Sequence, residues 1–568
     1  MKKILVMLLA LTVSAAAFAA GRNQTAGETR GLVNLPKGSL PISNGSATLT
    51  VFAGGLSQWV TSFDYRDNIF TRKVVDETGI KLDFVAATSA DAAQKRNVLL
   101  SSGDYPDIFI GGGVDITYYA SQGILLPLDG YDPLSYPSIK AAFDRYPALW
   151  DINRGPDGKL YGLPSVNECL HCNYSQGRAL YFQPWVRDNK LKAPETLEEL
   201  TAYLRWIRDN DVNGNGDKND EIPLTWEKDY LKHAVAIIAK AYMPFIYTQD
   251  YFGLRLNDSR QVTEQYKDPN YRRALQYLAG LYKEGLILPA SFTQTRDQLK
   301  SLVENTAPLV GVIMAANPDN IGIAGGDRVV NHFFLKPLAG PEGLRHASYR
   351  GPYAGLGTGM VITDKCRYPE LALALYNYLI DPVVSREAVG PKGSYWDDPD
   401  PGTVSLMGGK PAYKNLTSFA SQQVNGGWNQ TSPGIFTADV RLSEQATDFD
   451  LAKQYILTGD AALHDRMVKN PSWNEEFLFI STNDLFVPHK INDNYYIPPV
   501  PLLRMNDDDN ARFADIKAAL DTFVEQAAVE FITGARDIGN NAAWNTYLNE
   551  LDRLGSKDLA GLIQKYIK

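Results

Sequence analysis

The sequence is poor in cysteine, histidine and positive charge, and each shortage closes off a class of function. Three cysteines in 568 residues are too few for the disulfide framework of a small secreted scaffold. Six histidines, at positions 171, 233, 332, 346, 464 and 489, fall at no metal-ligand spacing. Acidic residues outnumber basic ones by 65 to 56, for a formal net charge of −9. The chain therefore lacks the Lys and Arg excess that sequence-independent nucleic-acid binding requires. No H-E-x-x-H, G-x-S-x-G or Walker pattern occurs, nor any repeat at a solenoid period. Beyond the N-terminus, no apolar run is long enough to span a bilayer.

What is present is the balance of a soluble globular protein, 44% apolar and 21% charged. The length exceeds what one core accommodates and implies two or three domains. Aromatics make up 11%, with 31 Tyr and 9 Trp. Such rings fill cores or stack on flat ligands.

The N-terminus carries an address. Lys2 and Lys3 precede the apolar stretch Ile4–Val13, and Ala17-Phe18-Ala19 has the small-x-small form of a cleavage site. Residues 1–19 thus read as a signal peptide cleaved near Ala19, with an uncleaved anchor as the alternative. Residues 20–46 read as a flexible polar tether. No cysteine lies near the cleavage site, which argues against a lipid anchor and for a soluble periplasmic protein.

After the tether, Ala47–Phe52, Ile80–Val85 and Pro106–Ile110 read as strands, with helices at Ile69–Thr78 and Ser89–Ser101 between them. This β-α-β-α-β order predicts a doubly wound sheet, whose ligands lie beyond the carboxyl ends of the strands. A second region starts near Tyr174. Thr196 is placed to cap a helix over Glu198–Asp209, with Glu199 positioned for a capping box. Helical patterns follow at Asp229–Ala241, Asn270–Glu284 and Pro369–Leu379, and Ala354–Thr363 is strand-like. Residues 508–568 look helical, with Trp544, Tyr547 and Leu551 on one face. Trp206 and Trp544 read as core or lobe-packing residues.

Two short motifs stand out. Asp211, Asn213 and Asn215 occupy positions 1, 3 and 5 of an acidic loop, Gly216 occupies position 6, and Asp217, Asp220 and Glu221 follow. Alternate oxygen-bearing side chains before a tight glycine turn match the first half of a calcium loop. Position 12 is Ile222, so the bidentate carboxylate falls to Asp220 or Glu221. A solvated Asn/Asp/Gly turn is the alternative. A structural Ca2+ is the expected cofactor. The second motif, Cys169-Leu170-His171-Cys172, reads as a local disulfide, with a redox pair and an incomplete zinc site as alternatives. Cys366 reads as a buried free thiol.

Several segments together resemble the family-1 extracellular solute-binding proteins of ABC transporters, especially the large lipoprotein-like and alginate-binding branch of carbohydrate type. They are Asp157-Gly158-Lys159-Leu160-Tyr161-Gly162-Leu163-Pro164, the C-x-x-C segment, and the acidic loop through Glu221-Ile222-Pro223-Leu224. Tyr282-Lys283-Glu284-Gly285-Leu286-Ile287 and Phe531-Ile532-Thr533-Gly534, ahead of Trp544 and Tyr547, complete the set. The resemblance covers nearly the whole mature chain. It implies an α/β, two-lobed periplasmic-binding-protein-like fold, with a ligand cleft between lobes and several hinge crossings. The expected division is lobe 1 over 47–165 and, with cleft segments, 351–507. Lobe 2 takes 166–350 and the helices of 508–568. It also implies a monomer that is not an enzyme, with a calcium loop at the place found here, an oligosaccharide ligand and permease subunits of the inner membrane as partners. Many relatives carry a lipobox cysteine that this chain lacks.

A sugar site needs aromatic platforms flanked by amides, carboxylates and Arg. Trp59, Trp226, Tyr353, Tyr395, Trp396 and Trp428 are the candidate platforms. Asn167, Glu168, Arg345 and Arg350 are the candidate polar partners, the two arginines being able to clamp a uronate. A peptide or other solute on the same fold is the alternative ligand. A secreted glycoside hydrolase would need two carboxylates at fixed separation, from residues such as Asp397, Asp398 and Glu168.

Overall fold

The computed structural model describes most of residues 37–398, isolated stretches between 401 and 503, and residues 505–567. The signal peptide and cleavage site lie outside the described residues.

The first sheet has six strands in the order β14-β4-β11-β3-β1-β2. Its members are β1 (Thr48–Leu56), β2 (Lys81–Thr88), β3 (Ile108–Ile110), β4 (Gly162–Asn167), β11 (Leu356–Ile362) and β14 (Gly434–Ile435). The second has four in the order β10-β5-β9-β6, namely β5 (Ala179–Phe182), β6 (Ile222–Thr225), β9 (Val310–Met314) and β10 (His332–Phe334). Two hairpin-like pairs complete the set: β7 (Leu254–Leu256) with β8 (Val262–Glu264), and β12 (Trp396–Asp397) with β13 (Lys414–Asn415).

The first sheet opens as the sequence pattern implies. Asn68 caps the helix Ile69–Thr78 by accepting from the N–H groups of Phe70 and Thr71, and Gly79 ends it at φ +71°. That helix returns the chain so that β2 pairs parallel to β1, and the helix Ala92–Ser102 returns it again so that β3 pairs parallel to β1 on the other side. Ile108, Phe109 and Ile110 are all buried, as in a strand covered on both faces. β11 then inserts antiparallel between β3 and β4. It comes from far along the chain, so the first sheet is completed only after the second has been built.

Each sheet has its own core. Val51, Val74, Ile108, Leu163, Met360 and Leu371 share the first. Trp185, Leu204, Trp226, Leu278, Phe531 and Tyr547 share the second. The second core is closed by the helices Asp507–Thr533, Asn541–Arg553 and Ser556–Tyr566. The Tyr547 hydroxyl donates to the Tyr266 carbonyl at 3.1 Å, and Arg272 donates to the Ile538 carbonyl. Trp544 and Leu551 are buried with Tyr547 on one helix face, and Trp206 packs partly buried on the same core. Between the cores the chain crosses from Asn167 to Ala179, from Ala347 to Leu356, and from Ile435 to Phe486.

Two local expectations need correction. Residues 37–46 are not free tether: the Ile42 and Ser43 N–H groups donate to the Thr78 carbonyl, and Ile42 is buried in the first core. The capping box at Thr196 is half made. Thr196 accepts from the Glu199 N–H, but the Glu199 carboxylate reaches the N–H of Glu195, one residue before the cap.

An ion-pair cluster fastens three helices of the first lobe. Lys73 pairs with Glu77 on its own helix and with Glu387 at 3.1 Å, and the Tyr378 hydroxyl donates to Glu77 at 2.7 Å. Burial pushes the Glu77 carboxyl up, but the Lys73 and Tyr378 hydrogen bonds outweigh it and hold the carboxyl below its ordinary range. A lowered carboxyl stabilises the fold above the ordinary Glu pKa, and that contribution is lost as pH falls through the folded value. Glu77→Gln is expected to cost about 1 kcal/mol near neutral pH. Thermal melts across pH should show the difference from wild type vanish in acid; a constant difference would refute the assignment.

Candidate functional site

Strand direction places the ligand-facing edge of each lobe. In the first sheet, β1, β2 and β3 run parallel, and β4 shares their direction because both β3 and β4 are antiparallel to β11. Their carboxyl ends therefore share one edge with the start of β11. Asn167 ends β4 on this edge, Glu168 follows it, Trp59 follows β1, and Arg350 and Tyr353 precede β11. The side chain of Asn167, and Trp59, Glu168, Arg350, Tyr353 and Tyr395 altogether, lie outside the described residues. So do Cys169 and Cys172.

The other four candidates are placed, and all four need correction. Trp226 is fully enclosed in the larger core, edge-on to Phe292 with ring centroids 5.4 Å apart. Trp428 is buried in the first core between Tyr65, Phe70 and Phe84, and its indole N–H donates to the Thr71 hydroxyl at 2.7 Å. Neither ring is open to a cleft. Arg345 donates to the Glu195 carbonyl at 3.0 Å and pairs with its carboxylate at 3.6 Å, so it is held within its own lobe rather than poised as a clamp. Trp396 is also buried, with the Lys392 ammonium 5.6 Å from its ring centroid; Lys392 in turn pairs with Asp398 at 2.5 Å.

Two residues overlooked in the sequence sit at the corresponding edge of the second sheet. Arg178 precedes β5 beside the end of β9. It donates to the Ala316 carbonyl and lies over the rings of Phe334 and Phe486. Lys240 is buried nearby, and its amine is pulled down to about 7 by burial and then by the Arg178 guanidinium. Gly177, at φ +85°, packs so closely that a Cβ there would lie 2.3 Å from Lys240 Nζ. The available signal was one lysine within the apolar run Ala234–Ala241. His332 is buried, its Nδ1–H donates to the Arg328 carbonyl at 2.8 Å, and burial lowers its pKa to about 4.

The acidic loop lies at the opposite edge, just before β6. Asp211 accepts from the N–H groups of Asn215 and Gly216, Asn215 from Asp217, and Asp217 from Asn219. Gly216 holds φ +94°, open to glycine with little penalty. Glu221 Oε1 accepts from the Val212 N–H at 2.8 Å and the Asn213 N–H at 3.4 Å, while Oε2 is buried with no hydrogen-bond partner among the described residues. Asp220 accepts from the Asn213 and Asn215 amides. Among the described residues no group of three or more His, Cys, Asp or Glu is drawn together as a metal site. The loop's oxygens come from amides as much as carboxylates.

A family model for bacterial extracellular solute-binding proteins matches residues 66–384, more than half the chain. This chain is a bacterial extracellular solute-binding protein. The solute-binding protein is 24% identical over 518 residues to the fructooligosaccharide ABC transporter substrate-binding protein FusA of Streptococcus pneumoniae, covering 89% of this chain and 87% of that protein. The structure of FusA with kestose superposes with a TM-score of 0.69 at 21% identity, over 92% of this chain and 98% of that one. An extracellular solute-binding protein from Bifidobacterium longum subsp. infantis gives 0.70 at 17% identity, over 92% and 99%. The alginate-binding protein AlgQ2 gives 0.61 at 18%, over 95% and 100%. These likenesses establish the two-lobed α/β fold. Among the described residues, no helix is long and apolar enough to cross a membrane.

The enclosure of Trp226 and Trp428 sets a test. Each Trp→Ala change is expected to destabilise the solute-binding protein by roughly 3–5 kcal/mol, the usual cost of emptying a buried aromatic site. Chemical denaturation measures it, and a loss below about 1 kcal/mol would place either ring outside the core.

Proposed function

We propose that this solute-binding protein captures an oligosaccharide in the periplasm and delivers it to the permease of an ABC importer. The observation that carries the reading is the sequence likeness to fructooligosaccharide-binding FusA along 89% of the chain. The proposed lobes are 47–165 with the first part of 351–507, and 166–350 with 508–568, to whose cores Phe486, Leu503 and Met505 also belong. The ligand lies between their facing edges. Trp59, Asn167, Glu168, Arg350, Tyr353 and Tyr395 remain the proposed contacts. The first five of them flank the carboxyl edge of the first sheet along the chain. Closure follows from ligand bridging both lobes, to the extent that it binds the closed form better than the open one.

The test is a thermal-shift screen of the mature protein against fructooligosaccharides, other neutral oligosaccharides, uronate-containing ones and peptides. Ligand at a hundred times its dissociation constant should add about 2.7 kcal/mol of stability. A response to one saccharide class with loss of that response in Trp59→Ala supports the reading. A response to peptides alone replaces it.

We also propose that the acidic loop holds a structural Ca2+. Asp211, Asn213, Asn215, Asp217, Asp220 and Glu221 would hold it, and Glu221 Oε2, without a partner among the described residues, is an acceptor that a hard cation fits. A solved structure of FusA is of an EF-hand mutant, which supports the reading. Bound calcium would supply charge balance at a buried carboxylate, not chemistry on the ligand. Burial raises the Glu221 carboxyl, outweighing the N–H bonds it accepts, and the adjacent Asp220 adds a little. A raised carboxyl means that the metal-free fold loses stability as pH rises through the folded value. EDTA-treated protein should therefore show a lower melting temperature whose deficit grows as pH rises. A melting curve indifferent to EDTA at neutral pH would reject the metal.

A further inference from the structure

A cavity of about 440 Å3 opens on the larger lobe, away from the cleft, within the roughly 300–1,000 Å3 range of small-molecule sites. Its walls come from one edge of the second sheet. Pro308 precedes β9, Val212 and Asn213 precede β6, Asp327 and Asn331 precede β10, and Phe182 ends the antiparallel β5. This is the amino edge of β6, β9 and β10, whereas Arg178, Lys240 and the lobe crossings belong to the carboxyl edge. The cavity is therefore distinct from the ligand cleft.

Its chemistry is specific. Pro184, Val212 and Pro308 provide the accessible apolar wall, backed by the buried Phe182 and Trp185. Arg187 grips Asp188 in two contacts, at 2.7 and 3.2 Å, and Asp327 lies 3.6 Å from Arg328. Each carboxylate at the cavity thus has a guanidinium beside it, and the local charge is offset pair by pair. An ion gains little from such a surface. An uncharged molecule with an apolar face and a fringe of hydroxyls gains both the wall and the acceptors and donors of Asp188, Arg187, Asp327 and the Asn213 and Asn331 amides. We propose that this cavity is a second solute site, for a neutral saccharide of one or two sugar residues, on the edge of the larger lobe opposite the cleft. Val212 and Asn213 belong to the acidic loop as well, so the two sites share a wall.

Sucrose is the probe, titrated by calorimetry into the mature protein in calcium. Ala461→Trp fills the cavity from an exposed position on its rim. Asp327→Ala removes one acceptor without filling it. Each variant is expected to weaken sucrose binding about tenfold or more, as loss of a hydrogen bond or of the space does. The fructooligosaccharide thermal shift, run on the same samples, reports the cleft independently and should be unchanged. Sucrose affinity equal to wild type in the variants, or no sucrose binding to wild type, would overturn the second site while leaving the cleft reading to its own test. Should Ala461→Trp lose its melting transition, Asp327→Ala decides alone by the same outcomes.

Discussion

The architecture rests on the pairing of β11 with β3 and β4. Met360, Val361 and Ile362 face Ile110, Phe109 and Ile108 on one side, and Leu356–Val361 faces Gly162–Val166 on the other. Without this strand the parallel unit β2-β1-β3 and the strand β4 are two fragments with unpaired backbone between them, a costly arrangement in a buried sheet. Because β11 returns only after the second lobe has been traversed, each lobe is assembled from separated parts of the chain. Several covalent crossings between the lobes follow necessarily. Several crossings leave bending open and oppose free tumbling of one lobe against the other, which suits trapping a solute between two faces.

The same strand directions sort the molecule into two chemically different edges. The carboxyl edges carry the segments proposed to meet the ligand, and in the larger lobe they carry the buried cations Arg178 and Lys240. The amino edge carries the acidic loop and its neighbouring cavity. The buried cations and the acidic loop thus lie at opposite ends of the strands. The buried Lys240 amine, held near neutrality by its surroundings, and the raised Glu221 carboxyl illustrate one cost twice. Each is an ionisable group whose charged form the interior resists.

How much of this was legible depended on how far apart in sequence the deciding residues lie. The helix Ile69–Thr78 was readable to the residue because its start at Asn68 and its stop at Gly79 are local. The same holds for Pro369–Leu379 and for the buried face Trp544, Tyr547 and Leu551. Trp428 was misread as a platform because its partners Tyr65, Phe70 and Phe84 come from the far end of the chain. Arg345 was misread because Glu195, which holds it, sits on a different stretch of the lobe. An exposed-looking glycine turn before an aromatic says where the backbone bends, not which face the ring will find. The acidic loop was readable in composition, but the choice between Asp220 and Glu221 as the carboxylate left over required the hydrogen bonds.

The closing of the larger core by Asp507–Thr533, Asn541–Arg553 and Ser556–Tyr566 has a consequence for how the protein is policed. Phe531, Trp544 and Tyr547 are interior residues of a lobe whose other parts lie hundreds of residues upstream. A chain broken before Asn506 would leave that interior open to water as a large apolar face, including Tyr266 and Tyr271. Such a face is what quality-control proteases and chaperones recognise. Truncated copies would thus be marked for removal by their own surface, and the transporter would be presented only with molecules able to close.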